Sequence, residues 1–326
     1  MKILGAVLKR TVMALPFLAA ATPTCLSQSV SPDEYVRAVA LNANGTILAE
    51  VNLDGSLTVT ETLPKKKIQL DGFKPIRAFA LAFSPNGQFL ASAETQGKIQ
   101  VWNLSTGSLV RTIVQTAGVW SLTFDAKGNR LAAGGHGLVE IWDVNSGNEI
   151  RKWPIKGTCL RLSFDQSSQW LAAGAEGVLH VWNVDGSKSL EGKAHTFIIA
   201  SVAFSPNGDL VATGGMGLND GTVQLWRVGQ ALSESTVGKL PNTVEALTFS
   251  PDGASLAAGC TNGTVKLWST SDGQELRTLA TDDYIAALAF SSDGHTLIGA
   301  TGPNLSERSG PLAWNIQTGQ RLDESG

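Results

Sequence analysis

The chain has 326 residues, 43% of them hydrophobic and 16% charged, with a formal net charge of −3. That balance suits a folded polypeptide and excludes an extended disordered one. It also lacks the basic surplus that a phosphate backbone demands, so no nucleic acid partner is expected.

The N-terminus reads as a leader. Lys2, Lys9 and Arg10 precede the apolar stretch from Val12 to Ala21, which ends in small residues. Positive charge followed by a short apolar run is the pattern of a secretory signal over residues 1–27, cleaved after Ala21 or after Ser27. The run is too short for an ordinary membrane span. Export to a periplasm or the extracellular space follows, with no membrane insertion after cleavage. Membrane anchorage by an uncleaved N-terminus is the alternative. Thr22-Pro23-Thr24 before Cys25 fits a lipoprotein signal badly. Cys159 and Cys260 then remain, on repeats too far apart for a disulfide, and both read as small buried hydrophobes.

Residues 28–326 read as one domain made of repeats. Trp102, Trp142, Trp182, Trp226, Trp268 and Trp314 are spaced by 40, 40, 44, 42 and 46 residues. Ahead of each lies a framework phenylalanine: Phe83, Phe124, Phe164, Phe204, Phe249 and Phe290. Four residues after each comes Gly87, Gly128, Ser168, Gly208, Gly253 or Gly294. A degraded first copy keeps Leu41, Gly45 and Leu48 and carries Thr60 in place of Trp. The copies start near residues 35, 76, 118, 157, 198, 242 and 284.

Within a copy, Ala80-Leu81-Ala82-Phe83 is a short apolar run, Ser84-Pro85-Asn86-Gly87 a turn, and Leu90-Ala91-Ser92-Ala93 a second strand. Ile99-Gln100-Val101-Trp102 alternates as a third, and residues 109–113 supply a weaker fourth. Four short strands per ~40 residues predict an all-β fold, a seven-bladed β-propeller of four-stranded antiparallel blades. Residues 28–34, with Pro32, make a poor strand, so Gln320 to Asp323 are expected to close the ring as a last outer strand. Lys65-Lys66-Lys67 fall on an outer strand as solvated charge.

The chemistry-bearing residues are sparse. His136 and His295 are expected in turns and His180 in a strand, and none has metal-ligand spacing to another His, Cys or carboxylate pair. There is no Gly-x-Ser-x-Gly elbow and no phosphate loop. Asp282-Asp283 reads as a solvated turn. No catalytic residue, metal or cofactor is expected.

Val202-Ala203-Phe204-Ser205-Pro206-Asn207-Gly208, Leu247-Thr248-Phe249-Ser250-Pro251-Asp252-Gly253 and Val265-Lys266-Leu267-Trp268 resemble the WD-repeat family, and the resemblance runs from residue 35 to 322. Export with few cysteines makes the chain similar to exported bacterial members. The resemblance implies a hydrogen-bonded tetrad in the fifth copy, His195, Thr213, Asp220 and Trp226, absent in most others. It also implies that positions six and four before each framework residue open on one face of the ring. Those positions hold Tyr35 and Arg37, Arg77 and Phe79, Trp120, Glu245, and Tyr284. The loop carrying Glu307 and Arg308 lies beside them. Tyr, Arg, Phe and Trp thus gather on copies seven, one, two and three, facing an arc of small and aliphatic residues. Aromatic and Arg side chains dominate interface hot spots. The resulting expectation is a monomeric, non-catalytic interaction platform for a protein or peptide partner. The alternative is a lactonase-like secreted enzyme or a small-ligand binder using the central channel.

Overall fold

A computed structural model describes residues 36–41, 47–52, 57–61, 66–70, 78–94, 96–216, 221–281, 284–291, 293–301 and 312–322. The leader, Tyr35, Arg77, Asp220, Glu307 and Arg308 lie outside the described residues. Among the described residues there are 25 strands and no helix.

The second repeat shows how the local sequence makes a blade. Strands β5 (Ala78–Phe83), β6 (Phe89–Glu94), β7 (Lys98–Asn103) and β8 (Leu109–Val114) pair antiparallel in chain order. The first turn is closed by its own side chains. Ser84 Oγ donates to Asn86 Oδ1 at 2.6 Å, and the Gly87 N–H donates to the Ser84 carbonyl at 2.9 Å. Gly87 sits at φ 71°, a left-handed conformation that costs a side-chain-bearing residue about 1–2 kcal/mol. In the fourth repeat Ser168 takes this conformation at φ 61°. Its Oγ accepts the Ala126 N–H of the preceding repeat at 3.1 Å, a compensation no glycine offers.

Both faces of each sheet are covered, so the middle strands are buried almost throughout. Leu90, Ile99, Val101 and Trp102 have no exposed surface. Each apolar cluster draws on two successive repeats. One joins Ala91, Ile99 and Val101 to Val119, Leu131 and Trp142. At roughly 1.5–3 kcal/mol per large side chain, this stacking between repeats supplies the main stabilisation.

Strands β1 (Val36–Leu41), β2 (Ile47–Asn52), β3 (Leu57–Glu61) and β4 (Lys66–Ile68) form the first sheet. A second four-stranded sheet holds β15 (Ile198–Phe204), β16 (Leu210–Met216), β17 (Thr222–Val228) and β18 (Leu232–Lys239). A third holds β19 (Val244–Phe249), β20 (Ser255–Cys260), β21 (Thr264–Ser269) and β22 (Glu275–Ala280). The last repeat makes a three-stranded sheet of β23 (Ile285–Phe290), β24 (Thr296–Thr301) and β25 (Leu312–Asn315). An antiparallel bridge joins Trp314 to Arg321 beside it, and the Leu322 N–H donates to the Ala313 carbonyl at 2.7 Å. Gln320 to Leu322 therefore occupy the outer-strand place in the last sheet.

The third and fourth repeats depart from the expectation of separate four-stranded blades. Strands β9 (Val119–Phe124), β10 (Arg130–Asp143), β11 (Glu149–Phe164), β12 (Trp170–Ala175), β13 (Val178–Asn183) and β14 (Ser189–Lys193) make one six-stranded sheet. The propeller thus has five separate blades, not seven, beside this double one. The cause is local. His136 is not in a turn: it lies within β10 and pairs with Thr158, its Nδ1 2.9 Å from the Thr158 Oγ1. Strand β11 runs on through Lys156 and Gly157, so the outer strand of one repeat becomes the inner strand of the next.

The inner strands β1, β5, β9, β11, β15, β19 and β23 pack side by side in that order. Basic side chains staple neighbouring repeats at the outer edge. Arg111 donates to the Asn145 carbonyl, Arg151 to that of Asp185, Lys188 to that of Gly229, and Arg277 to that of Gln317. In each case a cation on one repeat caps a turn carbonyl of the next.

Candidate functional site

Alternation along the inner strands decides which face of the sheet each side chain takes. Leu81, Leu122, Leu162, Val202, Leu247 and Leu288 pack into the clusters between sheets, as the framework phenylalanines do. The intervening positions turn to the opposite face of each sheet, where Ala80, Ala82, Ala203 and Ala246 pack against the next repeat. They hold Ala80, Ala82, Ser121, Thr123, Ser163, Ser201, Ala203, Ala246 and Thr248, all small, with Arg161 as the single charged exception.

Every inner strand is also bulged at the same place. The register shifts between Val36 and Ala38, Ala78 and Ala80, Cys159 and Arg161, Ile199 and Ser201, Val244 and Ala246, and Ile285 and Ala287. In β9 the shift falls opposite Gly134 and Gly135, between Ser121 and Val119. A bulge adds one residue and re-aims its side chain. The extra residues are Arg37, Phe79, Trp120, Leu160, Ala200, Glu245 and Ala286. Four of them, Arg37, Phe79, Trp120 and Glu245, are residues that the family resemblance marks as partner-facing.

Glu245 carries a carboxyl yet is only 8% exposed. Its Oε2 lies 3.4 Å from the guanidinium of Arg161. That pair links the sixth repeat to the fourth, so it crosses the interior of the ring over the fifth. The fifth repeat leaves room by offering Ala200 and Ser201, whose Oγ is turned away to the Val244 carbonyl at 2.6 Å. Arg161 Nη1 also donates to the Leu160 carbonyl at 2.9 Å. Glu245 Oε1 has no hydrogen-bond partner. Burial holds the Glu245 carboxyl above its ordinary range, with Arg161 opposing. The Tyr284 hydroxyl is also held up, by burial first and then by the charge of Glu245, while Arg161 pulls the other way. Arg161, Glu245 and Tyr284 thus form one electrostatic cluster from three repeats.

The structure brings Glu245 and Tyr284 together as neighbours. Trp120 is half-buried on its own bulge. Arg37 and Phe79 occupy the equivalent bulges of β1 and β5, with their side chains outside the description. Two residues escape the sequence reading. Arg161 is legible in hindsight as the one charge among those small positions. Phe197, seven before its framework phenylalanine, is 66% exposed beside β15. The arc expected to carry only small and aliphatic residues therefore carries an Arg and an exposed aromatic.

In the fifth repeat Thr213 is fully buried and accepts the Trp226 indole N–H at 3.1 Å. His195 joins it, with Nε2 3.1 Å from the Thr213 Oγ1 and Nδ1 2.9 Å from the Thr222 Oγ1. The remaining tetrad position, Asp220, is outside the described residues. At the framework-phenylalanine end of the ring lies a cavity of about 440 Å³. Five successive repeats line it through Pro85, Thr123, Ser163, Phe204, Pro206 and Thr248, among others. Among the described residues no group of three or more His, Cys, Asp and Glu is placed to hold a metal ion. Cys159 and Cys260 are free and buried.

The model of the WD domain, G-beta repeat, matches residues 65–103, 107–143 and 151–183. The model of the anaphase-promoting complex subunit 4 WD40 domain matches residues 202–293. Among curated proteins, the small ribosomal subunit protein RACK1 of Caenorhabditis elegans is 29% identical over 133 residues, 40% of this chain and 38% of that protein. Its Neurospora crassa counterpart is 28% identical over 134 residues, 40% of each chain. The matched stretch thus spans well under half the length of these relatives. A crystal structure of the computationally designed Ika8 protein aligns with a TM-score of 0.73 at 24% identity, over 86% of this chain and 84% of that one, which speaks to the fold alone. Repeat by repeat, with its turns, tryptophans and bulged inner strands, the chain belongs to the WD40-repeat family of β-propellers.

Proposed function

We propose that this protein is a non-catalytic interaction platform that binds a protein or peptide partner on the bulged end of its inner strands. The observation that carries the reading is the repeated bulge. It adds one residue per repeat at the same place in each inner strand, and those residues include Arg37, Phe79, Trp120 and Glu245, which supports a shared binding face. The family resemblance adds Tyr35, Arg77, Tyr284, Glu307 and Arg308 to the expected partner-binding set. The ring is read as seven repeat units, the six-stranded sheet counting as two. The leader pattern supports an exported, periplasmic or extracellular protein. Crosslinked co-purification from the native envelope tests the platform. A partner captured by wild type and lost in a folded variant carrying Tyr35→Ala, Arg77→Ala and Trp120→Ala supports it. Failure to capture any partner with either protein removes the support.

A second reading has its own observation. The 440 Å³ cavity at the opposite end is edged by the hydroxyls of Thr123, Ser163 and Thr248, as a small polar ligand would require. A thermal-shift screen of metabolites, repeated on Thr248→Val, separates it from the platform.

A further inference from the structure

The channel mouth between the fourth, sixth and seventh repeats holds an incomplete polar network. An ionised carboxylate has about four acceptor sites. Glu245 fills one of them, through a 3.4 Å contact to Arg161, and its buried Oε1 has no hydrogen-bond partner among the described residues. A buried polar atom left unmade costs about 1–3 kcal/mol, more for a charged group. The equivalent bulges hold Arg37, Phe79, Trp120, Leu160, Ala200 and Ala286, so the scaffold itself does not require a carboxylate there. The polar deficit is specific in sign: it lacks a donor. Arg161, whose bonds go to the Leu160 carbonyl and to Oε2, does not supply it. Arg161 is also the more solvated partner, at 38% side-chain exposure, so its charge is screened while that of Glu245 is not.

We propose that this mouth receives one cationic side chain of the partner, a lysine ammonium or an arginine guanidinium, which donates to Glu245 Oε1. Tyr284 forms the wall beside the seventh repeat, and the exposed Phe197 offers an apolar footing at the rim for the rest of the peptide. Charge complementarity selects the occupant. A carboxylate entering the same space would meet the buried oxygen of Glu245 at close range, and an apolar side chain would leave Oε1 unpaired. The inference rests on the platform reading and adds the chemistry of the partner's central contact.

Capped nine-residue peptides test it, with randomised flanks and a central Lys, Arg, norleucine or Glu, binding to the full-length protein at pH 8 by fluorescence anisotropy. The Lys or Arg pool should bind at least tenfold more tightly than the norleucine pool, and the Glu pool should bind weakest. Glu245→Gln should erase the preference. Arg161→Met should move the other way and tighten binding of the cationic pool several-fold, because it removes the competing cation. A merely misfolded variant cannot produce that gain. Equal binding of the Lys and norleucine pools overturns the proposal, as does a preference for Glu or a loss of cationic binding in a folded Arg161→Met. A protein partner lost on Trp120→Ala but indifferent to Glu245→Gln would overturn this inference and leave the platform standing. No capture of any partner would strike the platform itself.

Discussion

Thr213→Val isolates the network that sets the fifth repeat apart. The substitution keeps the shape and replaces a hydroxyl with a methyl at a site with no solvent exposure. The Trp226 indole N–H loses its acceptor at 3.1 Å, and His195 Nε2 loses its partner at 3.1 Å. Indole N–H is a donor only, so nothing on the valine replaces the bond. The two buried bonds lost cost about 1–3 kcal/mol each, and the new methyl returns about 0.8 kcal/mol of burial. The net expectation is a loss of about 3 kcal/mol. For a chain of this size that lowers Tm by roughly 6–12 °C, at about 2–4 °C per kcal/mol. Thr213→Ser keeps the hydroxyl and should retain most of the stability. Urea unfolding followed by tryptophan fluorescence gives the free energy, and calorimetry the Tm. A valine variant within about 0.5 kcal/mol of wild type would refute the reasoning, since it would mean the paired hydroxyl adds nothing over apolar contact. The other repeats frame the comparison: Ser92, Ala133, Ala173 and Ala258 stand where Thr213 does.

Other perturbations read different parts of the ring. Glu245 has its folded pKa raised by burial, so the protonated form favours folding. The folded state is then relatively most stable below the ordinary carboxyl value of 4.5 and loses that advantage as pH rises through the raised one. Glu245→Gln should therefore match wild type near pH 4 and exceed it at pH 8, in melts across that range; a less stable glutamine variant at pH 8 would reverse the sign. His180 behaves oppositely, since burial against Trp182 lowers its pKa despite Glu191. Its contribution is full above about 6.5 and falls as pH drops towards the lowered value, a dependence that His180→Gln should remove from equilibrium unfolding curves. Arg277→Met, which cuts the staple to the Gln317 and Thr318 carbonyls, should cost about 1 kcal/mol and add to Arg111→Met within about 0.5 kcal/mol, because the two staples share no partner. Burial pushes the Cys159 thiol up to about 12, so it should stay inert to a thiol reagent in the native protein and react at the unfolding rate; prompt native reaction would contradict the packing.

The fold was legible because its determinants are local and repeated. Each Ser-Pro-Asn-Gly type of turn carries its own closing hydrogen bonds, and each Trp marks a third strand downstream of its Phe. The fusion of the third and fourth repeats was not legible, because it depends on whether a strand pauses. His136-Gly137 has the composition of a turn, yet both residues stay within β10. Composition reports the tightness of a hairpin, not whether pairing breaks there.

The site was half legible for a related reason. The family resemblance marks which positions of a repeat are expected to open on the face, and Glu245 and Tyr284 are among them. It cannot say how far a long side chain reaches across a ring. Arg161 sits two repeats from Glu245, 84 positions away in the chain, and meets it only because the repeat between offers Ala200 and Ser201. A pattern read one copy at a time contains no term for that crossing. What the pattern does contain is the exception: a charge where every sibling position holds Ala or Ser. In a repeat protein the framework positions describe the scaffold, so a residue that breaks its own column without repairing the scaffold is where a specific task is to be sought. Arg161 breaks its column, meets Glu245 two repeats away, and leaves one carboxylate oxygen unmet.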